Sequence, residues 1–277
     1  MKKDILKAVC ELAVKTGIYQ AEQRRAFSPD KVEKKHSHDY VSYVDKESER
    51  RIVSRLKELL PEAGFMTEEK TTAQSGDEAE YVWIVDPLDG TTNFIHDIGP
   101  WGVCIALRHR KELVMGVMYE VTRGELFYAT QGGGAWMRAA DGSVRQLQVS
   151  PVSDTDQALV VVGYPYNAEE YRDFCTSFTA RFYGHCASVR SLGSAGAELC
   201  YVAAGRVDVY AEAFICTWDV SAGALIVLEA GGKVTDYQGE DKLWHDGREV
   251  LATNGLLHGA VVSEMQICKK DQQSDQQ

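Results

Sequence analysis

A short apolar run, Tyr81-Val82-Trp83-Ile84-Val85, leads directly into Asp86-Pro87-Leu88-Asp89-Gly90-Thr91-Thr92-Asn93-Phe94. The run reads as a buried strand, with Asp86 just where that strand should end. Gly90 and the two threonines have the composition of a turn that opens a helix. Carboxylates at a strand end, beside free backbone N–H groups, suit both a divalent cation and a phosphate. The pentad Asp-Pro-x-Asp-Gly also serves as a plain turn, because Asp caps locally, Pro fixes φ and Gly accepts positive φ.

The rest of the chain reads as an α+β segment followed by an α/β one. Ile5, Leu6, Val9, Leu12 and Ala13 recur at helical spacing, and so do Ile52, Val53, Leu56, Leu59 and Leu60 before Pro61. Strand-like runs at 81–85, 102–107, 113–119 and 125–129 are separated by hairpin signals, so antiparallel pairing is expected. Gly132-Gly133-Gly134 reads as a turn, since it lacks the Lys of a phosphate loop. Beyond Val149, strands at 159–163, 206–211, 233–235 and 249–252 alternate with helices at 170–182, 195–203, 220–229 and 256–265. The change of texture near Arg145–Ser153 predicts domains at 1–148 and 149–268, with a disordered polar tail at 269–277.

Composition narrows the function classes. The 277 residues are 44% hydrophobic and 26% charged with net charge −11, ordinary for a globular protein and lacking the dense basic stripe of a nucleic-acid binder. No apolar stretch approaches the ~18 residues of a membrane span, and the first helix is amphipathic, not a signal segment. The seven cysteines are odd in number and without a C-x-x-C pair, so reduced thiols and a cytoplasmic location are expected. His36-Ser37-His38-Asp39 has a ligand-like look, but solvent-exposed loop histidines are the expectation, because no partner cluster follows.

Hydrolysing a phosphate monoester means bringing water to an anion that repels nucleophiles. Two metal ions ~3.5–4 Å apart ease this by acidifying water and neutralising the leaving oxygen. Asp86 and Asp89 are two of the carboxylates such a site needs. Glu68, after the expected strand end Phe65-Met66-Thr67, and Asp219, in Trp218-Asp219-Val220-Ser221-Ala222-Gly223, are candidates for the others. Taken singly, Glu68 reads as a surface residue and Asp219 as a helix N-cap.

Together, the nine residues from Asp86, the Glu68-Glu69 pair and the Trp-Asp-x-x-x-Gly segment resemble the inositol monophosphatase family in order and approximate spacing. The resemblance implies a layered αβαβα sandwich and a Mg2+-dependent, lithium-sensitive phosphatase, usually a homodimer. It implies two or three Mg2+ ions, with Glu68, Asp86 and the Leu88 carbonyl on one, Asp86, Asp89 and Asp219 on a second, and a weak third near Glu68. Direct attack by a metal-activated water is implied, helped by Thr91 and Asp45; both residues read otherwise as helix caps. Gly90 and Thr91 would receive the phosphate, and Gly193, Ser194, Ala195 and Glu212 would meet the ring of a polyol, with Asp89 and Asp219 beside it. Glu212 alone reads as a solvent-facing strand-end residue. Lys34 matches a family lysine only weakly.

The chain departs from the family at Ile215-Cys216-Thr217, which places Cys216 near the substrate. Pro100-Trp101-Gly102 is similar to histidinol-phosphate phosphatases of the same superfamily. The leading expectation is an inositol-1-phosphate phosphatase. Histidinol phosphate, fructose-1,6-bisphosphate and 3′-phosphoadenosine phosphate are the alternatives, and an inactive interaction protein is a distant one. Thr92-Asn93 speaks against the nucleotide substrate.

Overall fold

The computed structural model describes residues 2–27, 32–36, 39–75, 79–166, 168–241 and 248–274. α1 (Lys2–Arg25) is followed by the antiparallel pair β1 (Val32–His36) and β2 (Asp39–Ser42), then α2 (Tyr43–Leu59). A seven-stranded sheet comes next, with neighbours in chain order. Its strands are β3 (Gly64–Thr67), β4 (Tyr81–Asp89), β5 (Gly102–His109), β6 (Glu112–Glu120), β7 (Glu125–Thr130), β8 (Ala135–Arg138) and β9 (Val144–Gln146). The short α3 (Thr91–His96) lies between β4 and β5. The second half runs β10 (Leu159–Gly163), α4 (Ala168–Phe182), β11 (Ser188–Arg190), α5 (Ala195–Ala203) and β12 (Val209–Ile215). It continues with α6 (Thr217–Glu229), β13 (Lys233–Thr235), β14 (Arg248–Thr253) and α7 (His258–Ser274). Its sheet is ordered β11-β10-β12-β14-β13.

Successive side chains of β4 enter two different cores, and this alternation builds the layers. Trp83 and Val85 face Val9, Leu12, Ile52 and Leu56 of α1 and α2. Val82 and Ile84 belong instead to a core that α5 and α6 share, with Leu199, Val202, Val220 and Ile226. That same core includes Val161, Tyr210 and Val250 of the second sheet. Beyond it, Phe174, Phe178, Val261 and Met265 of α4 and α7 cover Val160, Ala211 and Leu251. The result is the expected α/β/α/β/α stack. A strand buried on both faces has no polar face to display, which is why 81–85 is a continuous apolar run.

Several sequence expectations need correction. β4 does not end at Val85 but continues to Asp89. β8, β9 and β11, each three or four residues long and too short for an alternation to stand out, were not anticipated, nor was the β1–β2 pair, which puts His36 on a strand where a loop was expected. β12 starts at Val209, not Arg206, and extends to Ile215, so Glu212 lies inside the strand and not at its end. α7 runs through Asp271 to Ser274, into the segment expected to be disordered. Ser37, His38 and the side chains of Lys34 and His36 lie outside the described residues. The cysteines are all free thiols; Cys104, Cys175, Cys200 and Cys268 are buried, and Cys10, Cys186 and Cys216 are partly so. Among the described residues no helix is long and apolar enough to cross a membrane.

Candidate active site

Strand register brings the first three acids together. β3 and β4 run parallel with Thr67 opposite Val85, so the next residues along, Glu68 and Asp86, emerge side by side. On β5, Cys104 pairs with Asp86 and Gly102 with Asp89. Three steps along β4 thus match two along β5, which is a one-residue bulge at Pro87-Leu88. Without it, Asp86 and Asp89 would point to opposite faces of the sheet, because side chains alternate with period two. Proline, which has no N–H to give to a ladder, is at home there.

Asp219 arrives from the other side. α6 packs across the inner face of the seven-stranded sheet, and Asp219 occupies its third position. Its Oδ2 accepts the Cys216 N–H at 3.0 Å, so the N-cap is Cys216 and not Asp219. α5 is held to the site by Asp89, whose Oδ2 accepts from Ser194 Oγ and from Gly196 N at 3.0 Å. A Cβ on Gly196 would lie 2.3 Å from Cys104 Sγ and 2.9 Å from Asp89 Oδ2, so only glycine permits this approach.

The electrostatics are those of crowded like charges. Burial, then Glu68, Asp89 and Asp219, push the Asp86 carboxyl well above its usual range, and Glu68 is within hydrogen-bonding reach of it. Burial, then Glu68, Asp89 and Glu212, do the same to Asp219. Asp89 is raised by burial to about 6 despite the bonds from Ser194 and Gly196. Two carboxylates bond to each other only if one holds a proton or a cation intervenes. Among the described residues no Lys or Arg ion-pairs with Asp86, Asp89 or Asp219. Among the described residues, too, no three acidic, His or Cys side chains already surround one point at coordinating positions. The donor set of hard oxygens fits a divalent cation of the Mg2+ type, with side chains turning inward to meet it.

Thr91 and Asp45 meet as a pair. Thr91 Oγ1 lies 2.8 Å from Asp45 Oδ1 and 3.0 Å from the Leu88 carbonyl oxygen, sharing its one proton between them. Asp45 is fully buried and, mainly for that reason, raised to about 6; bonds from Ser42 and Thr91 oppose the shift. The N-cap of α2 is Ser42, with Asp45 completing a capping box by accepting the Ser42 N–H at 2.9 Å. Gly90 caps α3 at φ +84, a left-handed conformation suited to glycine.

Gly193, Ser194 and Ala195 lead into α5, and Ser194 is its N-cap. Glu212 takes a hydrogen bond from the Tyr210 hydroxyl, and burial raises its carboxyl to about 7. Sequence reading missed the supports of this region. Asn93 Nδ2 donates to the carbonyls of Pro100 at 2.8 Å and Leu192 at 2.6 Å. Glu198, buried and raised to about 8 chiefly by that burial, accepts the N–H groups of Leu192 at 2.6 Å and Gly193 at 3.1 Å. The bond from Asn93 to Leu192 has no local signal, because that carbonyl lies 99 residues on. A separate cavity of 310 Å³ is lined by Arg123, Arg190, Tyr201 and Arg206. Glu125 ion-pairs with both Arg206 and Arg123 there.

Comparison with known proteins identifies the family. The model of the inositol monophosphatase family matches residues 1–270. The protein named Nus factor SuhB of Escherichia coli (strain K12) is 36% identical over 252 residues, covering 90% of each chain. The solved structure of SuhB from Bartonella henselae superposes with a TM-score of 0.86 at 31% identity, over 95% of this chain and 98% of that one. The Thermotoga maritima IMPase gives 0.85 at 29% identity, over 97% and 99%. The chain belongs to the inositol monophosphatase family.

Proposed function

We propose that this protein is a Mg2+-dependent phosphomonoester hydrolase acting on inositol-1-phosphate, working as a cytoplasmic homodimer. One observation carries the hydrolase reading: register, bulge and α6 bring four carboxylates, Glu68, Asp86, Asp89 and Asp219, close enough for their charges to push the three aspartate carboxyls up, beside the Thr91–Asp45 pair. Such a cluster costs stability unless a cation neutralises it, so it has no structural rationale in a protein that only binds partners. With the Leu88 carbonyl, these residues would hold two or three Mg2+ ions, which supply water activation and charge neutralisation when bound.

The remaining residues have tasks of their own. Thr91 directs its proton toward Asp45, leaving the lone pairs of its oxygen to take a proton from the attacking water. The N–H groups of Gly90 and Thr91, at the start of α3, receive phosphate oxygens. Gly193, Ser194 and Ala195 line the polyol ring, held in place by Asn93 and Glu198. Glu212 offers the ring the oxygen that Tyr210 leaves open.

Phosphate release from inositol-1-phosphate, fructose-1,6-bisphosphate, histidinol phosphate and 3′-phosphoadenosine phosphate tests both levels of this reading. Inositol-1-phosphate is expected to give the highest kcat/KM, only with Mg2+ present, and lithium should inhibit. Turnover of none of the four would sink the hydrolase; a better substrate among the other three would sink the inositol assignment alone.

Glu212→Ala should raise KM for inositol-1-phosphate roughly tenfold, the worth of about one hydrogen bond pair, and leave KM for a small aryl phosphate unchanged. Equal effects on the two substrates would remove Glu212 from the ring contacts.

A further inference from the structure

α2 turns one polar face into the core. Asp45, Ser48 and Glu49, at i, i+3 and i+4, are each 0% exposed. Asp45 holds Thr91. Ser48 Oγ accepts from Gln20 Nε2 at 3.2 Å, and the same amide donates to the Pro87 carbonyl at 2.6 Å, on the bulge between Asp86 and Asp89. Glu49 is the third and has no part in the chemistry above.

The Glu49 carboxylate receives four hydrogen bonds, all from residues 67–71. Oε1 accepts from Thr67 Oγ1 at 3.0 Å, Thr71 N at 2.6 Å and Thr71 Oγ1 at 2.7 Å, and Oε2 accepts from Glu69 N at 2.7 Å. These donors bracket Glu68 on both sides. Glu68 itself donates its N–H to the Val85 carbonyl at 3.2 Å, on the strand that carries Asp86. Its backbone is therefore clamped between β4 and α2, and a turn that would otherwise be free just after a strand end is fixed.

We propose that Glu49 is a positioning residue that sets the cation affinity of the Glu68 side of the site. The proposal rests on Glu68 being a cation ligand. A buried carboxylate whose bonds all go to the chain around a ligand acts as the outer support of that ligand. Loss of such a support costs metal affinity ~10–100-fold. A purely structural Glu49 would affect unfolding and leave the affinity of the folded protein alone.

The test is Mg2+ titration of the substrate-free protein by calorimetry, alongside thermal unfolding. Glu49→Gln keeps size and removes charge and acceptor capacity; its Mg2+ Kd is expected to rise ~10–100-fold at one site, with kcat for an aryl phosphate restored at saturating Mg2+. Thr71→Val, which deletes one donor, should shift Kd the same way by a smaller factor and keeps the test open if Glu49→Gln folds poorly. Glu49→Gln should add nothing in a Glu68→Gln background, since both act through one ligand. An unchanged Kd in both Glu49→Gln and Thr71→Val, with Glu68→Gln weakened, overturns the proposal and leaves the ligand reading standing. An unchanged Kd in Glu68→Gln overturns the ligand reading and the proposal with it.

Discussion

Asp89→Asn is expected to lower kcat roughly 10³-fold, about 4 kcal/mol of transition-state stabilisation, while making the metal-free protein more stable. The two effects have one cause. The Asn carbonyl can keep the bonds from Ser194 Oγ and Gly196 N that Asp89 now accepts. Its amide then replaces a negative oxygen facing Glu68, Asp86 and Asp219, relieving repulsion and destroying a cation donor at once. The linkage sign agrees: Asp89 is raised from 3.8 to about 6 by burial. Its contribution to folding is fully present below the unfolded value and is lost as pH rises through about 6, so the metal-free wild type carries a deficit at pH 7 on the order of a few kcal/mol. Thermal unfolding in chelator should show Asp89→Asn above wild type, and added Mg2+ should stabilise wild type more than the mutant. Asp219→Asn should behave alike in kcat. Wild-type kcat at saturating Mg2+ in either variant would show the proposed ligand set to be wrong.

That site was half legible in the sequence, and the boundary has a physical reason. The apolar run at 81–85 disclosed a strand buried on both faces, and the end of β3 before Glu68 was placed correctly. Helices α1, α2, α5 and α6 followed from their periodicity, and the αβαβα stack from family resemblance. Periodicity does not disclose register, however. Whether Asp86 and Asp89 share a face depends on a bulge, defined only against β5. Whether Glu68 adjoins Asp86 depends on a parallel pairing across a long connection. Three of the supports were invisible for the same reason: Glu49, Gln20 and Asn93 bond to backbone that is remote in sequence. The alternative reading of Asp45 as an N-cap misses by three positions: Ser42 is the cap, and Asp45 stands in the reciprocal position of its capping box. The acidic residue was noticed and its register within the helix was not.

Asp45→Asn separates that capping duty from a chemical one. Asn can still accept from the Ser42 N–H with its carbonyl, so the start of α2 survives at a cost of about 1 kcal/mol or less. The amide NH2 then faces Thr91 Oγ1 in place of Oδ1, and a donor stands where an acceptor was. Thr91 must turn its proton to the Leu88 carbonyl, 3.0 Å away, and its oxygen no longer passes a proton onward. If the pair relays the water's proton, kcat should fall ~10²–10⁴-fold with KM nearly unchanged. The pH dependence gives a second readout. Asp45 is raised to about 6 by burial, with Glu68 adding to the rise. A cation beside Glu68 removes that addition, so the acid limb of the wild-type kcat profile should fall at or below about pH 6. In Asp45→Asn the limb should vanish, whereas Thr91→Ser, which keeps the hydroxyl, should retain it. A residue that only caps the helix would give the opposite pattern: a lower Tm with kcat and the acid limb both intact.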